Sequence, residues 1–493
     1  MLLTSLTKDL SYTLVQGDLH TEASSVAYDS REVKPGGVFV AISGFTVDGH
    51  RYIDKAIELG AAVIVLEKAV PVAPGVTVLQ VADTREALAL IAANFYDRPT
   101  EQMNLIGITG TNGKTSTTYF LKSIFEQTGT SLGIIGTIGT VIGDKVFANK
   151  NTTPESLNLQ QIFAEMIDSH TKHCVMEVSS HALNLNRVAH SSFNTGIFTN
   201  LTPDHLELHH TMEEYFEAKA KLFAMTTDYN IINADDKHGQ ILIDRLRNQE
   251  PKLLTYAIEQ EADIFATDIC YFADYTTYTV NTPKGSISIK VNLPGAIYVY
   301  NSLAAIATAY CNQFSLQQIA DGIAAVEGIK GRLEVVYQDE ETKIIVDFAH
   351  TEDSLEKALT TIRPFAKGKI ILVFGVYAAD GESGVEKRRA MAKVAATFAD
   401  FSVVTSDNPK MQDNTMIIRE IVEGLEAYDG AYEAVVDRRD AIAFAIEISR
   451  KDDVILIAGK GHETSQIIGK TEIPFNEAEI VRELKRKRNV TAD

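Results

Sequence analysis

The sequence predicts an α/β protein of three domains: a small N-terminal α/β domain over residues 1–98, a central P-loop-type domain with a parallel sheet over 99–328, and a C-terminal Rossmann-like domain over 329–493. Three observations predict it. A chain of 493 residues is long enough for about three cores. Apolar strands alternate with amphipathic helices through two long stretches, the pattern of sheets covered by helices. Residues 106–116 run from an apolar strand through a glycine-rich turn into a helix.

In the first segment, residues 38–42 read as a buried strand, 53–59 carry helical spacing and 61–66 are again apolar and strand-like. Asp29-Ser30-Arg31 and Asp48-Gly49-His50 punctuate it with residue types that most often simply form turns. Arg98-Pro99-Thr100 marks a boundary.

The central segment opens with a strand at 103–109 that leads into Gly110-Thr111-Asn112-Gly113-Lys114-Thr115-Ser116. The glycines let backbone N–H groups approach a polyphosphate, and Lys114 neutralises it. The Thr115 hydroxyl can hold Mg²⁺, and the helix presents its positive end. The generic G-x-x-x-x-G-K-[ST] spacing is not met, because Ile108 stands where its first glycine belongs. Residues 132–135, 173–178, 196–199 and 229–232 read as further strands of a mostly parallel sheet, which places a ligand at their carboxyl edge. Pro283 and Gly285 interrupt a hairpin-like section over 262–293, expected to be an antiparallel appendage.

The third segment shows core strands at 344–346, 370–374, 402–404 and 454–457, each expected to be followed by a turn and a helix. No G-x-G-x-x-G follows the first of them, which argues against a dinucleotide there. Residues 483–493 read as a charged helix fraying into a tail.

A formal charge of −20 argues against nucleic acid as the main ligand. Cys174, Cys270 and Cys311 are too scattered for a disulfide framework or a zinc knuckle, and Cys174 sits in an apolar run as a buried thiol would. The N-terminus lacks a basic region followed by a long apolar core, and no stretch approaches about 20 continuous apolar residues. A cytoplasmic protein without membrane insertion is expected.

Three further polar positions after the loop matter jointly, two of them where strands should emerge at the ligand edge. Glu177 ends an apolar run and could hold Mg²⁺ bridging phosphates, although a lone strand-end glutamate is more often a solvated charge. His205 lies just past another strand, near His209 and His210, without the helical spacing and acidic backing of a zinc site. By periodicity alone Lys219 reads as a surface lysine on a helix whose apolar face includes Tyr215, Phe216, Leu222 and Phe223.

The series Asp29-Ser30-Arg31, 109–116, Asn151-Thr152-Thr153-Pro154-Glu155, 177–183, 202–209, Ala218-Lys219, 347–351, Asp407-Asn408-Pro409 and 459–463 closely resembles the Mur ligases, nearly end to end and in the family's order. The likeness is greatest to the members that add the third residue to UDP-N-acetylmuramoyl-L-alanyl-D-glutamate in peptidoglycan precursor synthesis. It implies an ATP-dependent ligase that phosphorylates a carboxylate and lets an amine displace phosphate. The N-terminal domain would bind the UDP-sugar, the central domain ATP and the C-terminal domain the amino acid.

By matching position, the resemblance implies that Gly110, Thr111, Asn112, Gly113, Lys114, Thr115 and Ser116 cradle ATP, with Lys114 on its β- and γ-phosphates. Thr115 and Glu177 would hold one Mg²⁺, and His205 a second. Lys219 matches a lysine that the family carboxylates at N6 to a carbamate, supporting the second metal and the transferred phosphoryl group. Asn301 and Arg332 would meet adenine and phosphate, and Ser30 the uridine diphosphate. Asn151, Thr152, Thr153, Ser179 and Arg187 would hold the muramoyl-dipeptide arm, and Arg388, Asp407, Asn408, Lys410, Gly459 and Glu463 the incoming amino acid. The partners would be the UDP-muramoyl dipeptide and a free amino acid, with the chain acting as a monomer.

The chain departs from the family at the amino-acid pocket. Members that use meso-diaminopimelate carry Asp-Asn-Pro-Arg, and here Lys410 replaces the arginine, keeping the charge but losing the planar fork. Free L-lysine would set an ammonium beside Lys410, so an acceptor with a distal carboxylate is favoured. A second departure covers 374–384, where the family's Gly-Gly-Asp-Arg-Asp run is replaced and lengthened. These changes leave two alternatives: a paralogue forming an amide on another carboxylate or with another amine, or a non-catalytic ATP-binding regulator.

Overall fold

Because residues 105–109 are buried without alternation, the strand Asn104–Thr109 must be covered on both faces, which makes it the interior of an α/β sheet. In the computed structural model, which describes residues 1–44, 47–379 and 381–492, that sheet has eleven strands. Asn104–Thr109 lies in its interior, hydrogen-bonded in parallel to His173–Glu177 on one side and Phe193–Phe198 on the other. The connection from Asn104–Thr109 through the helix Lys114–Gln127 leads to Leu132–Gly136, beyond His173–Glu177. Phe193–Phe198, Thr226–Asn233 and Lys252–Ala257 extend the sheet the opposite way. The chain therefore reverses its winding beside Asn104–Thr109, and the crevice at that carboxyl edge is the natural ligand site.

The section expected to be an appendage belongs to this sheet. Ile264–Tyr271 pairs in parallel with Lys252–Ala257, and Thr276–Thr282 and Gly285–Val291 continue antiparallel to the edge. Buried Tyr278, Val280, Ile289 and Val291 explain this, since they pack into the same apolar cluster as the helix Ala296–Cys311 and could not face water.

The N-terminal segment forms its own five-stranded sheet, with Val26–Ala27, Val38–Val40, Val63–Leu66 and Thr77–Gln80 parallel and Thr13–Gln16 antiparallel at one edge. The C-terminal segment forms a six-stranded sheet in which Thr342–Asp347, Asp453–Ala458, Ile370–Phe374, Phe401–Val404 and Tyr432–Ala434 are parallel and Glu334–Gln338 is antiparallel. One expectation fails here. Asp453–Ala458 is followed by the hairpin Ser465–Ile468 and Thr471–Pro474 before the helix Glu477–Ala492. That hairpin's register aligns Lys410 with Ile468, so it carries the loop beside it. In the altered 374–384 run Asp380 lies outside the described residues, as does Asp493 at the end of the charged tail.

Apolar packing joins the central and C-terminal units. One cluster contains Ile106, Phe120 and Leu303 together with Leu333, Ile345 and Leu355. The last turn of the central unit and the first strands of the next are thus held as one body around the carboxyl edge of Asn104–Thr109. Among the described residues no helix is long and apolar enough to cross a membrane.

Candidate active site

The turn after Asn104–Thr109 is built on two glycines that only glycine can occupy. Gly110 has φ +146° and a Cβ there would fall on Thr199 Oγ1; Gly113, at φ +92°, would drive a Cβ into the Asn301 amide. The helix Lys114–Gln127 starts immediately after, capped by no side chain, so its first N–H groups point into the crevice. We expect Gly113→Ala to cost about 1–3 kcal/mol locally and to raise the KM for ATP roughly tenfold, read from initial rates at varied ATP.

Lys114 folds back on this turn, donating to Gly110 O at 2.8 Å and Thr111 O at 3.0 Å. Burial pushes its ammonium below the ordinary lysine value. Thr115 Oγ1 donates to Glu177 at 3.0 and 3.1 Å. Glu177 itself is held from the far side by Thr137, whose N–H and hydroxyl donate at 3.1 and 3.0 Å. It is 1% exposed, so the solvated strand-end reading does not hold.

Lys219 is also 1% exposed, against its surface reading from periodicity. It donates to Gly110 O at 2.9 Å and lies over the Tyr215 ring at 4.5 Å. Two lysines thus converge on one carbonyl oxygen. Burial, and then the charge of Lys114, push Lys219 well below its usual pKa.

His205 sits in the left-handed region at φ +53°, its Nε2 3.4 Å from Asp204 Oδ2 and its Nδ1 3.5 Å from Glu207 Oε1. Burial pushes the Asp204 carboxyl up, but Lys387, His205 and His350 outweigh it and hold the group below its usual value. Lys387 comes from the C-terminal unit, donating to Asp204 at 3.0 Å and to Tyr377 OH at 2.7 Å.

Other groups of that unit reach the same turn. Arg332 Nη2 lies 3.4 Å from Thr115 Oγ1 with its guanidinium over the Phe348 ring, and Asn112 donates to Asp353 at 2.9 Å. Together these surround a cavity of about 290 Å³ lined by Lys114, Thr115, Glu177, His205, Asn301 and Arg332 among others. Asn301 Nδ2 is buried there without a hydrogen-bond partner among the described residues, a donor left over for a bound group. Lys219 lies beneath the turn rather than in this wall.

A cleft of about 330 Å³ adjoins it, lined from the central unit by Asn149, Lys150, Asn151 and Thr152 and from the C-terminal unit by Asn408, His462, Glu463 and Ser465. Thr137 and Thr152 line both spaces, so the two meet. Behind them Thr153 Oγ1 donates to Glu177 O at 2.8 Å and to Ser179 Oγ at 3.3 Å, and Arg187 donates to Thr153 O at 3.1 Å while facing Glu155.

Five residues expected to touch substrate stand apart. Arg388 is buried, paired to Glu420 and to Ala379 O, and lines neither space. Lys410 is exposed at φ +49° and lines neither. Ser30 is buried in the turn capped by Asp29, outside both. Asp407 and Gly459 pack against each other behind Asn408, where a Gly459 Cβ would strike Asp407 Oδ2. Reading the sequence missed Thr137, which holds Glu177, and the Lys387–Asp204 contact; neither position carries a local signal.

Comparison with known proteins matches residues 22–96 to the Mur ligase family catalytic domain, 108–309 to the Mur ligase middle domain and 331–461 to the Mur ligase glutamate ligase domain. A UDP-N-acetylmuramoyl-L-alanyl-D-glutamate–2,6-diaminopimelate ligase of Alkaliphilus metalliredigens is 41% identical over 99% of this chain and 98% of its own length. One of the same name from Clostridioides difficile is 43% identical over 98% and 99%. A solved structure of a UDP-N-acetylmuramoyl-L-alanyl-D-glutamate–2,6-diaminopimelate ligase superposes with a TM-score of 0.70 at 27% identity, covering 99% of both chains.

Proposed function

Because the chain belongs to the Mur ligase family, we propose that it joins a diamino acid, meso-diaminopimelate rather than L-lysine, to the D-glutamate carboxylate of UDP-N-acetylmuramoyl-L-alanyl-D-glutamate at the expense of ATP. The observation that carries this reading is the junction at Thr137 and Thr152 of a phosphate-cradling cavity with a polar cleft between two domains. A carboxylate activated in the first space faces an amine arriving through the second.

In this reading the N-terminal domain, residues 1–98, holds the uridine diphosphate near Ser30, and the 329–493 unit brings the amino acid. Lys114 exchanges the carbonyls of Gly110 and Thr111 for the β- and γ-phosphate oxygens, and Asn301 Nδ2 gives its unused donor to the nucleotide. Arg332, stacked on Phe348, lies over the phosphates. The γ-phosphoryl group passes to the D-glutamate carboxylate, ADP leaves, and the acceptor amine displaces phosphate and loses a proton. Domain contacts such as Lys387–Asp204 keep water from the acyl phosphate.

The donor set fits Mg²⁺: the Thr115 hydroxyl and Glu177 carboxylate are hard oxygens side by side and would hold such an ion. When bound it neutralises developing phosphoryl charge, and His205 would hold a second ion. Burial, and then the charge of Lys114, make Lys219 give up its proton more readily than an ordinary lysine, so that its amine is suited to add CO₂ with loss of one further proton, giving a carbamate anion under the turn.

ADP release is expected only when the nucleotide-linked dipeptide and an amino acid are both supplied, with kcat/KM at least about tenfold higher for meso-diaminopimelate than for L-lysine. Failure of both amino acids on this acceptor removes the reading.

A further inference from the structure

We propose that Lys150 is the cation that receives the acceptor's distal carboxylate, opposite Glu463, and so sets the preference for a diamino dicarboxylic acid over a simple diamino acid. This deepens the function proposed above and rests on it. The arginine with which the family grips that carboxylate is replaced here by Lys410. Lys410 is exposed and is not among the residues that line the cleft, and its backbone is tied to the hairpin through Ile467 O at 3.1 Å and Gly469 N at 2.7 Å. Arg388 is already paired to Glu420.

Within the cleft, Lys150 and Glu463 are the two side chains among its lining that are charged at neutral pH. His462 also lines it, but burial pushes its ring down to about 3, so it stays neutral. The two charges come from opposite walls, Lys150 from the central domain and Glu463 from the C-terminal domain. Glu463 is half prepared. Lys460 donates to its Oε2 at 2.7 Å and Asn408 to the same oxygen at 3.2 Å. Oε1 makes no hydrogen bond among the described residues, and is left for a ligand ammonium.

Lys460 is fully buried, its ammonium taken by Glu463 and by Asn408 Oδ1 at 3.1 Å, so it cannot serve an incoming anion. Lys150 differs. It is exposed to the cleft and, among the described residues, makes no hydrogen bond or ion pair. A ligand carrying an ammonium and a carboxylate on one terminal carbon satisfies both walls at once, whereas L-lysine offers only the ammonium. Bridging the walls also couples recognition to domain closure, since each charge belongs to a different domain.

The test is a kinetic comparison of wild type, Lys150→Gln, Lys150→Arg and Lys410→Gln, with UDP-N-acetylmuramoyl-L-alanyl-D-glutamate and ATP saturating and either meso-diaminopimelate or L-lysine varied. Lys150→Gln is expected to raise the KM for meso-diaminopimelate roughly tenfold or more, to leave that for L-lysine within about twofold, and to leave the KM for the nucleotide dipeptide unchanged. Lys150→Arg is expected to restore most of the preference. An unchanged ratio in Lys150→Gln overturns the proposal, as does a rise confined to the nucleotide dipeptide, which would place Lys150 on that substrate. Loss of preference in Lys410→Gln rather than Lys150→Gln also overturns it. Absence of amide formation by the wild type with either amino acid would instead remove the underlying function.

Discussion

Lys219→Ala is expected to lower turnover by about a thousand-fold or more, the size of effect that follows from removing one preorganised charge at a transferring group. ATP affinity should change little, because Lys114 and the helix N-terminus remain. Formate or acetate at high concentration is expected to restore part of the lost rate by taking the place of the proposed carbamate. The wild type should carry the mass of one added CO₂, lost on acidification. Lys219 is 1% exposed, 2.9 Å from the same carbonyl that Lys114 uses, and among the described residues it forms no ion pair with a carboxylate, so burial of its charge is costly. Deprotonation and conversion to an anion turn an unfavourable like-charge pair into a favourable opposite-charge one. Unchanged turnover in Lys219→Ala, or no response to added carboxylates, would sink the carbamate.

The second large effect is on stability. Arg438 and Glu477 are both buried, joined by Nε to Oε1 at 2.7 Å, and the guanidinium also donates to Ser406 O at 3.1 Å and Ala458 O at 2.8 Å. Burial pushes the Glu477 carboxyl up in spite of Arg438, and its Oε2 has no hydrogen-bond partner among the described residues. Removing the cation leaves an uncompensated acid in the core. Arg438→Ala should therefore cost about 3–5 kcal/mol, seen as a lower midpoint in chemical denaturation followed by a C-terminal probe. Because Ser406 and Ala458 precede Asp407 and Gly459, the same substitution should raise the KM for the amino acid. Arg438→Lys is expected to recover only part, lacking the fork that reaches both carbonyls. An unaltered midpoint in Arg438→Ala would refute this account.

Much of this was legible locally. The run from Asn104 through Lys114 to Gln127 is contiguous, so strand, turn and helix announce their geometry through adjacent residues. The same holds for strands buried on both faces, such as Ile370–Phe374, where every residue is apolar. The antiparallel edge over 264–291 was legible as hairpins but not as part of the main sheet, because which strand it joins is decided by packing against the helix Ala296–Cys311. Lys219 read wrongly by periodicity, because a helical wheel cannot show that a separate turn covers that face. Arg388 and Lys410 matched family positions, yet the first is consumed by Glu420 and the second is exposed, with its backbone bridged to the hairpin.

The amino-acid order by itself determined the class of fold and the phosphate-binding turn, since both depend on residues that are neighbours along the chain. The tertiary structure alone decided how the site is assembled. Lys219 meets Gly110 across 109 positions, Thr137 meets Glu177 across 40, and Lys387 meets Asp204 across 183. Such contacts are set by how sheets and domains pack, and no short-range pattern of hydrophobicity or charge encodes them.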